Sequence, residues 1–469
     1  MSKAARQWCT AAMIAAVAAA FRLPLLDRRP MHADEAILAD KFGTFLETGS
    51  YPYDPHEYHG PVLAYLTWIP AHLIRETKYA SLTESTIRLV PALAGVALAL
   101  TPFALTTAIG WEAASWAATL IAVSPAMVYY SRFFIPEVPL ALWTALLLAA
   151  LVRRWWALAG FAAALMTATK ETAIFALAAA SAAYTLVFRP QLDYRAAIRF
   201  LAALAVGVSL LLAPPWRWGM LAESAAAYWQ RATGGSHIHS WYSYVLWLST
   251  TETPILILAA LAWRGAKAPV RFVWLYALLL GMLYSAVPYK TPWCALSLLY
   301  ALALLGGAGA AVLRGWGRIA AAAAVAWLGV VAWAASVPLA TDSRNPWAYA
   351  HTGPGAFAIR DRIAEFARVA PEGRNVAVDV FTRENLWPLP WYLRPYPHTR
   401  WWRQVPLQGT AAPIVLLSPA LEVDFVRKIY ESPPPGEREL YVSLFPAYVD
   451  LRPGVEVRGY VAKSLWDRQ

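Results

Sequence analysis

Long apolar runs, each interrupted by a few charged or turn-forming residues, fill the first 340 positions of the chain. Eleven of them approach or exceed the roughly 17 residues a helix needs to cross a bilayer. They lie near 8–26, 86–109, 112–131, 136–152, 155–169, 172–188, 196–214, 244–263, 270–288, 292–313 and 318–338. The run at 61–75 is also apolar, but it is short and contains Pro70. Such a segment is expected to lie on the membrane face. Past residue 340 the pattern changes, with frequent charges and prolines and no long apolar run. Residues 375–380 and 413–417 read there as buried strands, 360–368 and 421–430 as helices, and Pro433-Pro434-Pro435-Gly436 as a turn. The pattern predicts a polytopic α-helical membrane protein of about eleven transmembrane helices over 1–339, with a first external loop at 27–85. A C-terminal extramembrane α/β domain over 340–469 follows, of ordinary domain size. No repeat of solenoid period is present.

Composition agrees. Of 469 residues, 59% are hydrophobic and only 15% charged, against about 25% in ordinary soluble proteins. The net charge of +11 does not call for nucleic acid, because Lys and Arg collect in cytoplasmic loops of membrane proteins. With Lys3 and Arg6 inside, the clusters Arg153-Arg154, Arg189 with Arg195 and Arg199, Arg264 with Lys267 and Arg271, and Arg314 with Arg318 all fall inside. The odd span count then puts the C-terminal domain and every unusual polar motif outside. The N-terminal run resembles a signal peptide, with Ala16-Val17-Ala18 as a small-residue cleavage site, but is read as an uncleaved anchor. Cys9 and Cys294 both lie in apolar segments and read as packing residues.

Against this apolar background a few polar residues ask for a reason. Asp34-Glu35 follows the first span. Successive helical residues point about 100° apart, so one carboxylate is expected to face a cavity as a general base while the other bonds locally or binds a cation. The plain alternative is a solvated loop pair. Arg132 and Glu137 flank Phe133-Phe134-Ile135-Pro136, as an interfacial ion pair or as a cavity wall. Lys170-Glu171 interrupts two alanine-rich runs. A lysine at mid-membrane costs about 2.5–3.5 kcal/mol on insertion scales, so it is either the tip of a short hairpin or a cation for an anionic ligand. Lys290 stands in Tyr289-Lys290-Thr291-Pro292-Trp293, either snorkelling at the interface or touching phosphate. His32, His56, His59 and the alternating His237 and His239 are solvated, contact substrate, or hold a metal. Most of the 24 tryptophans suit interfacial anchoring.

As a set these residues resemble the GT-C superfamily of membrane glycosyltransferases, which includes the protein O-mannosyltransferases and the aminoarabinose transferases of lipid A. The nearest likeness is to a prokaryotic branch associated with flippase activity in archaeal N-glycosylation. The resemblance rests on His32-Ala33-Asp34-Glu35-Ala36, on Tyr58-His59-Gly60-Pro61, and on Ser124-Pro125 through Tyr130-Ser131-Arg132 to Glu137. It rests also on Thr169-Lys170-Glu171-Thr172, on Tyr289 to Trp293, and on Leu386-Trp387-Pro388-Leu389-Pro390-Trp391-Tyr392-Leu393-Arg394. It implies a catalytic acidic residue at Asp34 with Glu35 beside it, a second acidic position at Glu137, and a basic position at Lys170. Relatives in the lipid A branch carry Lys-Pro where this chain has Gly60-Pro61, so His59, Lys170 or Lys290 would meet the lipid phosphate. No Trp-Trp-Asp-Tyr-Gly signature is present, which argues against en bloc glycan transfer.

The expectation is therefore a multi-pass cell-membrane enzyme that moves a sugar from a polyprenyl-phosphate donor to a lipid, glycan or protein hydroxyl at the external face, by an inverting route. Asp34, Glu35 and Glu137 are the expected catalytic residues. His59, Arg132, Lys170, Glu171, His237, His239 and Lys290 are the expected substrate and phosphate contacts, and Glu35 and Glu137 are expected to orient the acceptor, or to hold a divalent cation if one is used. The rival readings are a flippase-type transport protein and an inactive scaffold.

Overall fold

The computed structural model describes all residues except 1, 58, 190–192, 235–236, 264–265, 435 and 437. Tyr58, Arg264 and Pro435, named above, lie outside the described residues. In chain order the helices are α1 (Lys3–Arg22), α2 (Ala33–Thr48), α3 (Val62–Ile74), α4 (Glu84–Leu100), α5 (Trp111–Val123) and α6 (Pro125–Ser131). Next come α7 (Glu137–Val152), α8 (Trp156–Thr169), α9 (Ala173–Phe188), α10 (Tyr194–Leu211) and α11 (Gly219–Gly234). They are followed by α12 (Ser243–Thr251), α13 (Thr253–Leu261), α14 (Ala268–Ala286), α15 (Leu296–Ala311), α16 (Trp316–Ser336) and α17 (Gly355–Val369). The chain forms two compact units. One comprises Met1–Leu26, Thr48–Arg75 and Glu84–Tyr349, and the other Asp27–Glu47, Glu76–Thr83 and Ala350–Gln469.

The first unit is a polytopic helical membrane fold, and each of the eleven apolar runs is helical. Among the described residues six helices are long and apolar enough to cross a membrane, or eight if each bent pair is one span. Helices α7, α8 and α9 are apolar but hold only 16, 14 and 16 residues. The 13-residue α3 covers the apolar run around Pro70. Side chains such as Leu210 on α10 and Val330 on α16 face outward, as lipid-facing residues do. Cys9 corrects an expectation: it is exposed on α1 rather than packed inside.

Two runs read as continuous spans are broken. Helices α5 and α6 meet at 57°, and α12 and α13 at 101°. Proline explains both. Its ring lacks an N–H, clashes with the carbonyl four residues back, and pushes the preceding residue out of helical geometry. Pro125 stands at the first break, after an extended Ser124, and Pro254 opens the second.

A broken helix in hydrocarbon must find partners for the backbone groups it frees. At the first break the carbonyls of Ile121 and Ala122 lose their partners, since residue 125 has no N–H and the N–H of Ala126 turns elsewhere. The guanidinium of Arg22, fully buried, supplies both missing donors, at 2.9 Å to Ile121 and 2.7 Å to Ala122. The N–H of Ala126 instead donates to Glu252 Oε1 at 2.8 Å, and Ser124 Oγ donates to the same oxygen at 3.1 Å. A cation thus meets the negative end of α5 and a carboxyl group the positive end of α6. Helix α6 is also tied to the segment after α16. Tyr129 donates to the Ala340 carbonyl at 2.7 Å, and Tyr130 to that of Trp347 at 2.9 Å.

The second unit holds α2, α17 and six strands: β1 (Val378–Phe381), β2 (Thr399–Trp402), β3 (Ile414–Leu417), β4 (Tyr441–Ser443), β5 (Val449–Arg452) and β6 (Val455–Ala462). The sheet order is β2-β1-β3-β6-β4, with β5 pairing β6. The β1 pairs with β2 and β3 are parallel, and those involving β6 antiparallel. Phe381, Val415, Leu417, Leu421 and Phe425 form its core. Asp379 sits inside β1 and takes four hydrogen bonds, two from Arg400 and one each from Trp402 Nε1 and the Ala412 N–H. The first strand starts later than its sequence pattern, because Gly373–Asn375 closes a 3-10 turn. The run at 421–430 is helical, but changes from α to a π-helical turn at Arg427.

The Arg22 bridge requires a glycine on α4. A Cβ at Gly95 would stand 2.2 Å from Ser131 Oγ and 2.7 Å from Arg22 Nε. Gly95→Ala is expected to destabilise the purified protein by about 1–3 kcal/mol through overpacking, read as a lower thermal midpoint in detergent. An unchanged midpoint would show that Arg22 relocates without cost.

Candidate functional site

In the first unit the polar residues gather around the turn between α8 and α9. Lys170 ends α8 in an extended conformation, with φ −157° and ψ 140°. Its side chain and that of Glu171 therefore leave in different directions. Lys170 donates to Glu137 Oε1 at the start of α7, and both are nearly fully buried. Glu137 Oε2 has no hydrogen-bond partner among the described residues. Glu171 Oε2 lies 3.2 Å from His59 Nδ1, and its Oε1 lies 3.7 Å from Arg231 on α11. Burial alone would raise the Glu171 carboxyl, but His59 and then Lys170 hold it well below the usual carboxylate range. Cys294 stands within electrostatic range of Lys170, Glu137 and Glu171.

The loop bearing His59 closes tightly onto the end of α8. The Gly60 N–H donates to the Thr169 carbonyl at 3.2 Å. A Cβ at residue 60 would lie 1.9 Å from the Ala168 carbonyl oxygen. No side chain fits there, so the Gly-Pro in place of Lys-Pro follows from this backbone contact. His59 itself is held at a φ of 60°, a region costly for residues other than glycine.

His237, His239 and Lys290 form a second cluster. His237 Nδ1 and His239 Nε2 meet the Tyr349 hydroxyl at 2.6 and 2.9 Å. The backbone of Ile238 pairs with that of Tyr289. The Lys290 ammonium is buried, and donates to the Val287 carbonyl and, at 3.4 Å, to that of His239. From Lys290 the chain leads to Cys294, whose Sγ is 3.2 Å from Thr291 Oγ1, so this strap joins the second cluster to the first. Arg132 stands apart from Glu137, its expected ion-pair partner. Its guanidinium donates to the carbonyls of Phe21, Arg22 and Leu25 at the end of α1.

The acidic pair belongs to the second unit, at the first turn of α2. Its two members separate as helical geometry requires. Glu35 is fully buried, and its Oε2 accepts from Arg29 Nη2 and from the His32 N–H, both at 2.9 Å. Glu35, expected beside the base at a catalytic position, is thus turned inward to staple the helix start. The Asp34 side chain is 50% exposed, and its N–H donates to His32 Nδ1 at 3.1 Å. The preceding segment is anchored where the Met31 N–H donates to the Tyr392 hydroxyl at 2.8 Å, inside the Leu386 to Arg394 stretch.

Among the described residues no three His, Cys, Asp or Glu side chains converge to hold a metal ion. Glu35 and Glu137, the expected ligands of a divalent cation, are engaged by Arg29 and Lys170. Sequence reading missed Arg231, Arg22, Glu252 and Tyr349. A lone arginine or glutamate within an apolar run is the signal that could have found Arg22 and Glu252.

No protein-family profile matches the chain, and no curated protein matches it. Solved structures do. ArnT from Cupriavidus metallidurans in its apo state is similar at a TM-score of 0.72 and 16% identity, over 97% of this chain and 98% of that one. The same enzyme bound to undecaprenyl phosphate is similar at 0.67 and 17%, over 96% and 97%. The oligosaccharyltransferase AglB from Archaeoglobus fulgidus, in complex with an inhibitory peptide and a dolichol-phosphate, is similar at 0.58 and 13%, over 91% and 71%. The mycobacterial arabinofuranosyltransferase AftD is similar at 0.51 and 18%, over 98% of this chain but 40% of that one. All are GT-C enzymes, and this chain shares their fold.

Proposed function

We propose that the protein transfers a sugar from a polyprenyl-phosphate donor to an acceptor hydroxyl at the external face of the cell membrane. The acceptor is a lipid, glycan or protein. The observation that carries this reading is the division of the acidic pair. Glu35 is neutralised locally by Arg29, while Asp34 stays accessible at the start of α2. The fold shared with enzymes solved with undecaprenyl phosphate and dolichol-phosphate supports the donor class.

In this mechanism Asp34 takes the proton of the acceptor hydroxyl. The oxygen attacks the anomeric carbon from the side opposite the phosphate. The bond from that carbon to the phosphate oxygen breaks with inversion, and polyprenyl phosphate leaves. Lys170 stabilises the charge that grows on the leaving phosphate, with Arg231 adding positive charge and His59 a hydrogen-bonding ring beside Glu171. In a site with little water such preorganised cations act strongly. Glu137 holds Lys170 in the buried turn, and Glu171 holds His59. Glu35 holds the helix start that presents Asp34. Arg132 and Lys290, both bonded to backbone carbonyls, add to the positive field, and His237 and His239, joined through Tyr349, contact substrate.

Two predictions test these roles. Asp34→Asn is expected to lower transfer roughly 10²–10⁴-fold, measured as release of undecaprenyl phosphate from a panel of radiolabelled polyprenyl-phosphate sugars. Undiminished release would remove Asp34 as base. No release from any donor by the unaltered protein would favour transport or a scaffold. The second compares Lys170→Gln with Lys170→Gln/Glu137→Gln. The single variant leaves a buried carboxylate unpaired, which destabilises by about 3–5 kcal/mol, and the double variant relieves this. Stability is expected to recover in the double variant while transfer stays lost. Recovery of both would make Lys170 only the counter-ion of Glu137.

A further inference from the structure

Glu252 is a carboxyl group that the proposed chemistry does not use. It lies at the break between α12 and α13, fully buried in a membrane segment. Both donors it receives, Ser124 Oγ and the Ala126 N–H, go to Oε1. Oε2 has no hydrogen-bond partner among the described residues. A buried carboxyl group of this kind is costly in a bilayer and marks function or a demanding structural task. Its donors come from the other broken span, at the point where α6 begins. Glu252 therefore locks one helix break onto another.

What α6 leads to gives this lock its meaning. Ser131 Oγ accepts from Arg22 Nε at 3.2 Å, and Arg132 fastens to the end of α1. The next residues, Phe133, Phe134 and Ile135, are all buried, and Glu137 with its partner Lys170 follows. Close-packed segments transmit displacement rather than absorb it. The neighbouring α12 ends at Thr251, whose Oγ1 accepts from Trp347 Nε1 at 3.0 Å, and Trp347 in turn accepts from Tyr130. Two routes thus tie the α12 to α13 joint to α6.

We propose that Glu252 is a positioning residue, which sets α6 through the Ser124 and Ala126 bonds and thereby fixes the buried Glu137–Lys170 pair. The inference rests on the reading of Lys170 as the phosphate cation. Because both bonds end on one oxygen, the amide oxygen of glutamine reproduces them, whereas alanine leaves the Ala126 N–H without a partner.

The test uses the full chain in detergent and a Cys9→Ser background, where Cys294, within electrostatic range of Lys170 and Glu137, is the one remaining thiol. The rate of Cys294 modification by N-ethylmaleimide reports locally on the Glu137–Lys170 pair. Well below the thermal midpoint, Glu252→Ala is expected to change this rate at least fivefold and to weaken binding of undecaprenyl phosphate tenfold or more. Glu252→Gln is expected to stay within about twofold of the unaltered protein in both. If Glu252→Ala lowers only the thermal midpoint, leaving thiol rate and lipid affinity unchanged, Glu252 is a structural cap and the proposal fails. It fails also if glutamine and alanine are equally damaging. If the unaltered protein does not bind undecaprenyl phosphate, the phosphate reading fails, while the thiol rates still decide whether Glu252 positions the pair.

Discussion

The first unit depends on how the helix break at Pro125 is satisfied. Proline in a membrane helix frees two carbonyls and diverts one N–H, and hydrocarbon offers them nothing. Arg22 and Glu252 supply what is missing from opposite sides, one from α1 and one from the joint of α12 and α13. Neither group is an ion-pair partner of the other. Each is matched instead to one end of a helix, where aligned peptide dipoles act as a partial charge of opposite sign. The result brings three distant stretches of chain together at a bend and fixes where α6 points.

The chemistry of the site follows the same rule of local neutralisation. Adjacent acidic and basic residues are split by backbone geometry. Lys170 turns to Glu137 while Glu171 turns to His59 and Arg231. Glu35 turns to Arg29 while Asp34 stays accessible. In each pair one member holds structure, and this leaves the other with a defined surrounding. Such a division keeps ionised groups near an apolar body without leaving both members of a pair exposed to its full desolvation cost.

Much of this fold was legible from hydropathy. Every apolar run of the first 340 residues is helical, and the change of character beyond them marks the sheet-bearing part. The bends were not legible, because a span-length window averages over Ser124-Pro125 and over the polar run from Ser249 to Pro254. The short strand β2 escaped for a related reason: Thr399–Trp402 is largely exposed, and so lacks the apolar signature of β1 and β3. Asp34, Glu137 and Lys170 stood out because charge is rare in such a chain. Their partners did not follow, since Lys170 and Glu137 are 33 residues apart and Glu252 reaches across 126 residues to Ala126. Arg132 shows the opposite error, where nearness to Glu137 in sequence suggested a pair that the backbone carbonyls of α1 preclude.

The contact between Gly60 and the Ala168 carbonyl couples two choices that look separate in the sequence. Where the loop backbone lies this close to the end of α8, position 60 cannot carry a cation. The end of α8 is also the place from which Lys170 emerges. A chain that moved its lysine to position 60 would have to draw the loop back from α8, and would loosen the turn that holds Lys170. The two placements are alternatives, so a change from one to the other needs backbone and side chain to move together rather than one substitution at a time.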